Sequence, residues 1–369
     1  MHGYHVFTPF AGIGLVLLLA LLPWHLRAKN LAVFLLCGWL FLQVLSFFVN
    51  SIAWWDNVDI KAEVWCDIST KLIYSGQIGP VCCSLCVLRR LEAIASTRTV
   101  RTTEQDRRKQ MLFDLAIGLG IPIVFTALHI VNQGHRYDIV EGFGCLPAVY
   151  WTPVAIVLNL IPPLLVSLTA VVYGALALRW FIIRRRQFNA ILQASCTHID
   201  RSRYMRLMAM ACIEALVSFP INLGTFADKL EYQKRIYPWI SWEDTHYDFG
   251  FIGQYKAALY SQTADSRRHW RTLELGRWGI VVGCYCVFAF FGTSAEATQF
   301  YVKLWHCCLH KIRTVWSSSP VVAKRPGASP IVAIQTSWQT DSALQSVKIG
   351  PSEEDIRGLK STISDQEKV

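Results

Sequence analysis

Cys66 and Cys145 each lie at or beyond the edge of an apolar run instead of inside one. On an oxidising side of a membrane they would form a disulfide; two free thiols are the other reading. Asp67 and Lys71 stand four apart with the acid first, the favoured order for a helical ion pair, and serve either as an interfacial pair or as ligand contacts. Glu214 falls well inside an apolar run, where a carboxylate without a partner costs at least about 2.5 kcal/mol, and it is therefore a candidate ligand-binding group. Tyr237, Trp239 and Trp242 offer aromatic anchors among charges of both signs, a composition suited to a peptide contact or to a plain membrane-surface loop. No catalytic set emerges. There is no H-E-x-x-H, P-loop or G-x-S-x-G sequence, and Cys83-x-x-Cys86 sits in an apolar run with no second ligand pair, so neither an enzyme, a metal nor a cofactor is expected. A retinal-type sensor needs a buried lysine, and none occurs between Arg277 and Lys303.

The elements that must hold these residues are apolar. Of 369 residues 53% are hydrophobic and 17% charged, which exceeds the apolar load of a soluble core and points to a bilayer. Residues 1–26, 30–55 and 142–178 hold no Asp, Glu, Lys or Arg, and each stretch exceeds the ~20 residues that a spanning helix needs. Seven spans are predicted near 6–23, 31–53, 66–88, 111–131, 150–178, 205–226 and 274–297, an all-α seven-helix membrane bundle. Lys and Arg number two in 24–30, seven in 89–110 and seven in 179–206, but one each in 54–65 and 132–149. The positive-inside rule then places the N-terminus outside and the C-terminus in the cytoplasm. Residues 227–271 carry seven basic groups against this assignment, with six acids beside them.

The net charge of +10 is spread between spans, which fits cytoplasmic loops beside anionic lipid and not nucleic-acid binding. Arg89, Arg90, Arg184, Arg185, Arg186 and Arg203 either face an intracellular protein or are orientation signals held by lipid. Gly79, Pro80 and Pro220 interrupt helical hydrogen bonding and are candidate pivots. Asn50, Asn159 and Asn222 can bridge helices, and Gly279 with Gly283 forms a small-xxx-small pair of the kind used in a homodimer. The seven-span bundle is assigned to 1–300, an amphipathic juxtamembrane segment to 301–316 with Cys307 and Cys308 as palmitoylation candidates, and a disordered Ser-rich tail to 317–369.

Taken in order, Pro23-Trp24-His25, Asn30, Val49-Asn50-Ser51-Ile52-Ala53-Trp54 and Trp65-Cys66-Asp67-Ile68-Ser69-Thr70-Lys71 give the chain a family likeness. So do Cys86, Arg89-Arg90-Leu91-Glu92-Ala93-Ile94-Ala95, Arg203, Arg206, Pro220, Phe290-Phe291-Gly292-Thr293 and Glu296-Ala297. Across about residues 5–305 the chain resembles the fungal mating-pheromone receptors of the a-factor receptor type, the class D G-protein-coupled receptors. The resemblance implies a plasma-membrane receptor for a farnesylated peptide pheromone that activates a heterotrimeric G protein and a mating cascade. A transporter, or a receptor for another lipophilic ligand, is the alternative; seven single spans with basic inner loops do not divide into the paired repeats expected of a transporter.

Overall fold

A computed structural model describes residues 4–27, 30–96, 104–184, 186, 201–232, 236–293 and 298–299. The elements run α1 Tyr4–Arg27, α2 Leu31–Ala53, α3 Glu63–Ser75, α4 Gly79–Ala95, α5 Glu104–Leu115 and α6 Ile121–Leu128. They continue with β1 Tyr137–Val140, β2 Gly144–Leu146, α7 Pro153–Asn159, α8 Ile161–Arg184, α9 Arg201–Tyr232, α10 Trp242–Thr245, β3 Ile252–Tyr255 and α11 Ala264–Phe291. Cys307, Cys308, the 301–316 segment and the 317–369 tail lie outside the described residues, as does Arg185.

Among the described residues six helices are long and apolar enough to cross a membrane: Val6–Pro23, Leu31–Ala53, Glu104–Asn132, Pro153–Arg184, Tyr204–Ala227 and Ser266–Phe291. The chain is thus a multi-pass, mostly helical membrane protein. The expected third span differs from a single long helix because it breaks between Ser75 and Gly79 into pieces of 13 and 17 residues. The glycines flanking the break pack closely against α2. A Cβ at Gly76 would collide with the Gln43 side chain, and one at Gly79 would lie 2.6 Å from the Trp39 ring. Pro80 occupies the first turn of α4, where its missing N–H costs no helical bond.

Trp39 is itself fixed, because its indole Nε1–H donates to the Gly118 carbonyl at 2.8 Å. That carbonyl lies in a π-helical turn, Ala116–Gly120, between α5 and α6, and Gly118 packs under Leu35 and Cys83. Gly79→Ala is therefore expected to destabilise the protein by about 1–3 kcal/mol through overpacking. Gly38→Ala, with nothing within 4 Å of the added methyl, serves as the control without a clash in a thermal unfolding comparison and should lose no stability.

The core lies along α2, where Leu36, Leu40, Val44 and Phe47 are buried against α1, α4 and α11. Cys37, Cys82, Cys83, Cys86 and Cys284 are buried and pack as small hydrophobes outside the disulfide. Asparagines join helices as expected of polar groups in an apolar bundle, Asn50 of α2 to Trp65 of α3 among them. The Tyr74 hydroxyl donates to Asn159 Oδ1, and Asn222 Nδ2 on α9 donates to Pro163 O (3.3 Å) and Ser167 Oγ (3.4 Å) on α8. Gly283 sits in ordinary contact distance of Leu40 within the same chain, while Gly279 faces open space.

Two boundaries move. Helix α9 continues to Tyr232 with Pro220 inside it, and α11 starts at Ala264, where the Thr263 hydroxyl accepts the Ser266 N–H at 3.0 Å. The expected 227–271 loop is accordingly shorter, and part of it is strand. At that end of the bundle β2, β1 and β3 form one sheet in the order β2-β1-β3. The β1–β2 pair is antiparallel and the β1–β3 pair parallel.

Candidate functional site

The sheet end is built around the β1–β2 hairpin. Its turn needs left-handed backbone at Gly142 (φ 80°) and Gly144 (φ 72°), which glycine adopts without strain. Gly144 also lets the strand press on α2, since a Cβ there would lie 2.6 Å from the Asn50 Cβ. Asn50 fills the gap between elements: its Nδ2 donates to Cys145 O at 3.2 Å, and its Oδ1 accepts from Trp65 Nε1 at 2.8 Å. Trp54 is fully buried beneath the sheet with Tyr137, Ile139, Cys66 and Cys145; its carbonyl accepts the Gly142 N–H at 2.7 Å. Cys66 and Cys145 are bonded, their Cα atoms 5.3 Å apart, which pins β2 to α3.

Asp67 and Lys71 do not pair with each other. Arg136, just before β1, takes both Asp67 oxygens, Nε to Oδ1 at 3.0 Å and Nη2 to Oδ2 at 2.7 Å, and adds Glu63 Oε2 at 2.5 Å. A planar guanidinium satisfies a carboxylate by two parallel bonds, which a single ammonium cannot match, so the distant arginine displaces the neighbour four residues away. Asp67 and then Glu63 hold the Arg136 charge above its ordinary range. Lys71 turns inward instead, donating to Gln133 Oε1 at 2.5 Å and lying 3.1 Å from His129 Nδ1. His129 Nε2 is 3.0 Å from the Ala148 carbonyl. That contact assigns the proton to Nε2 and leaves Nδ1 free to accept from the ammonium. Arg136 and Asp67 remain 31% and 44% exposed, so Asp67→Asn is expected to cost less than about 1 kcal/mol. Thermal unfolding checks this, and a loss of several kcal/mol would mean that the pair is shielded from water.

The aromatic candidates line the same end. Tyr237 stacks on Tyr150 at 5.4 Å and donates its backbone N–H to Trp151 O at 3.1 Å. Trp242 stacks on His246 at 4.0 Å, and His246 Nε2 lies 2.8 Å from the Ile130 carbonyl. Tyr237, Trp239 and Trp242 are exposed. The short turn His129–Asn132 thereby links the Lys71 network to the Trp242 segment. Glu214 is on α9, its side chain outside the described residues.

Residues 6–311 match the profile of the Pheromone A receptor family. The chain belongs to that family. It is 37% identical to Pheromone receptor 1 of Mycosarcoma maydis over 96% of this chain and 98% of that one. It is 38% identical to the Pheromone B alpha 1 receptor of Schizophyllum commune over 79% of this chain and 45% of the relative. With the Pheromone a factor receptor of Saccharomyces cerevisiae it shares 26% over 79% of this chain and 59% of the relative. Membership in a receptor family agrees with the lack of any catalytic motif.

In this receptor Arg89 and Arg90 lie near the C-terminal end of α4, and Arg184 ends α8. Arg89 lies 3.6 Å over the Phe113 ring, and Arg184 is 4.8 Å from Trp180 with Nη1 3.4 Å from Ala95 O. Arg89 and Arg90 lie close enough to interact electrostatically with buried Asp114. Arg186 is exposed, and the Arg203 side chain falls outside the described residues.

One residue escaped sequence reasoning. Arg277 on α11 is 2% exposed. It forms two bonds to Glu274, Nε–Oε2 at 2.9 Å and Nη2–Oε1 at 2.6 Å, and donates Nη1 to the Gly142 carbonyl at 2.9 Å. Its guanidinium stacks between Phe7 (4.5 Å) and Phe143 (4.0 Å). It thus ties α1, α11 and the hairpin turn together. The available signal was Glu274 three residues before Arg277 at a span edge.

Proposed function

We propose that this chain is a seven-span G-protein-coupled receptor of the plasma membrane for a secreted, farnesylated peptide mating pheromone. The family match over residues 6–311 carries the reading. Counting α3 and α4 as one broken span gives seven, and the distribution of basic residues then puts the N-terminus and the sheet outside and the C-terminus in the cytoplasm. A disulfide at the sheet end accords with an oxidising exterior.

The ligand peptide meets the sheet end, around Asp67, Lys71, Tyr237, Trp239 and Trp242, with Glu214 deeper on α9. Its prenyl chain gains about 0.8 kcal/mol per buried methylene and enters lipid or slips between helices. At the opposite end Arg89, Arg90, Arg184, Arg185, Arg186 and Arg203 engage a heterotrimeric G protein feeding a mating cascade. Signalling is a population shift in which ligand favours an arrangement with the inner ends opened, the Gly79–Pro80 break and Pro220 acting as pivots. Cys307 and Cys308 anchor the following segment to lipid when palmitoylated.

The test is a reporter assay in yeast lacking its own receptor of this type, with a matched G protein and a panel of synthetic farnesylated and unfarnesylated peptides. The expected result is a response that requires the farnesyl group. Silence from a receptor shown at the cell surface would overturn the reading.

A further inference from the structure

The sheet has two edges, and they are treated differently. On β2 the outward Cys145 carbonyl is taken by Asn50 of α2 at 3.2 Å, so that edge is closed by the bundle. On β3, Phe251 O accepts the Arg136 N–H (3.2 Å) and Tyr255 O accepts the Glu141 N–H (3.1 Å). Residues 251 and 255 therefore turn their carbonyls toward β1. Backbone direction alternates along a strand, so Ile252 and Gln254 turn their N–H and C=O groups away from the sheet. Among the described residues no backbone group pairs with them.

This edge is dressed for contact. Tyr247 is 93% exposed, and Phe249, Phe251 and Tyr255 are exposed beside it. Exposed side chains in 55–62 and 236–256 include the acids Asp56, Asp59, Glu243, Asp244 and Asp248, against the cations Lys61 and Lys256. The Gln254 side chain bonds Val58 O at 2.5 Å, which joins the acidic 56–59 loop to the strand.

We infer that the outward edge of β3 receives the peptide part of the ligand as an added strand, bonded through the backbone groups of Ile252 and Gln254. An unpaired edge takes an extended chain by main-chain bonds, and pockets beside it read alternate side chains. The acidic surroundings select a peptide segment without net negative charge. The inference rests on the proposed peptide-receptor function and specifies how the peptide is held.

The test pairs a ligand series with two receptor variants. Each backbone amide of an active peptide is N-methylated in turn, and potency is read on the wild-type receptor. Losses of about five- to tenfold, the effect of one hydrogen bond, are expected at alternate residues of one extended stretch, with the residues between unaffected. Gln254→Pro removes an outward N–H that an edge strand can spare, while Gln254→Ala keeps it. The proline variant alone should lose potency at equal surface expression and should no longer respond to methylation of the paired amide. A responsive receptor with a flat methylation scan overturns the inference and leaves the proposed function standing. So does a Gln254→Cys variant that forms disulfide-linked dimers without ligand, which would give the edge to a second copy. A wild-type receptor silent to every peptide overturns both.

Discussion

Arg277→Met is expected to destabilise the receptor by about 3 kcal/mol. Removing one partner of a buried pair typically costs about 3–5 kcal/mol. Glu274 is 26% exposed and regains some hydration, which keeps the loss near the lower bound. The Gly142 carbonyl loses its donor, and the Phe7 and Phe143 rings lose the cation between them. Arg277→Lys should recover only part, because an ammonium cannot bond both Glu274 oxygens, reach Gly142 and stack between two rings at once. Thermal unfolding of the solubilised receptor measures both. A methionine variant within about 0.5 kcal/mol of wild type would remove Arg277 from the account of how the hairpin is held.

Cys66→Ser, Cys145→Ser and the double variant are expected to lose the same amount, about 2–5 kcal/mol. The bond closes a loop of sequence separation 79, and each substitution opens that loop completely. A second substitution has nothing further to remove, so the three variants should coincide in unfolding temperature and in insensitivity to reductant. Additive losses, or a wild-type receptor whose stability ignores reductant, would mean that the cysteines act separately. Beyond stability, the hairpin turn rests on Asn50 and Trp54 through Gly144, and loss of the bond should also weaken ligand response.

The spans were legible because bilayer solvation demands long uncharged runs, and Leu31–Ala53 matches its expected limits in the fold. What was hidden depends on partners far away in sequence. The break at Gly76–Ile78 was foreshadowed by Gly79–Pro80, whose proline removes a helical bond, but its close packing against Gln43 and Trp39 on another helix was not. Strands β1 and β3 are short, and their parallel pairing is set by tertiary placement with no local turn to announce it. The i,i+4 rule suggested Asp67 with Lys71, yet the winning partner is Arg136, 69 residues away. Helix α11 begins ten positions before the expected 274 because an amphipathic extension capped by Thr263 carries no apolar signal. Asn50, Asn159 and Asn222 were readable as bridging groups because amides inside apolar runs must find partners.

The central claim is that ligand acts at the sheet end, and the most direct measurement is photocross-linking with an active peptide pheromone carrying a photoreactive group in its peptide portion. Labelled receptor is digested and the modified residues are identified by mass spectrometry. The account predicts labelling within 133–146 and 236–256, abolished by excess unlabelled peptide. Competed labelling confined to the opposite end, around Arg89 and Arg184, would contradict it.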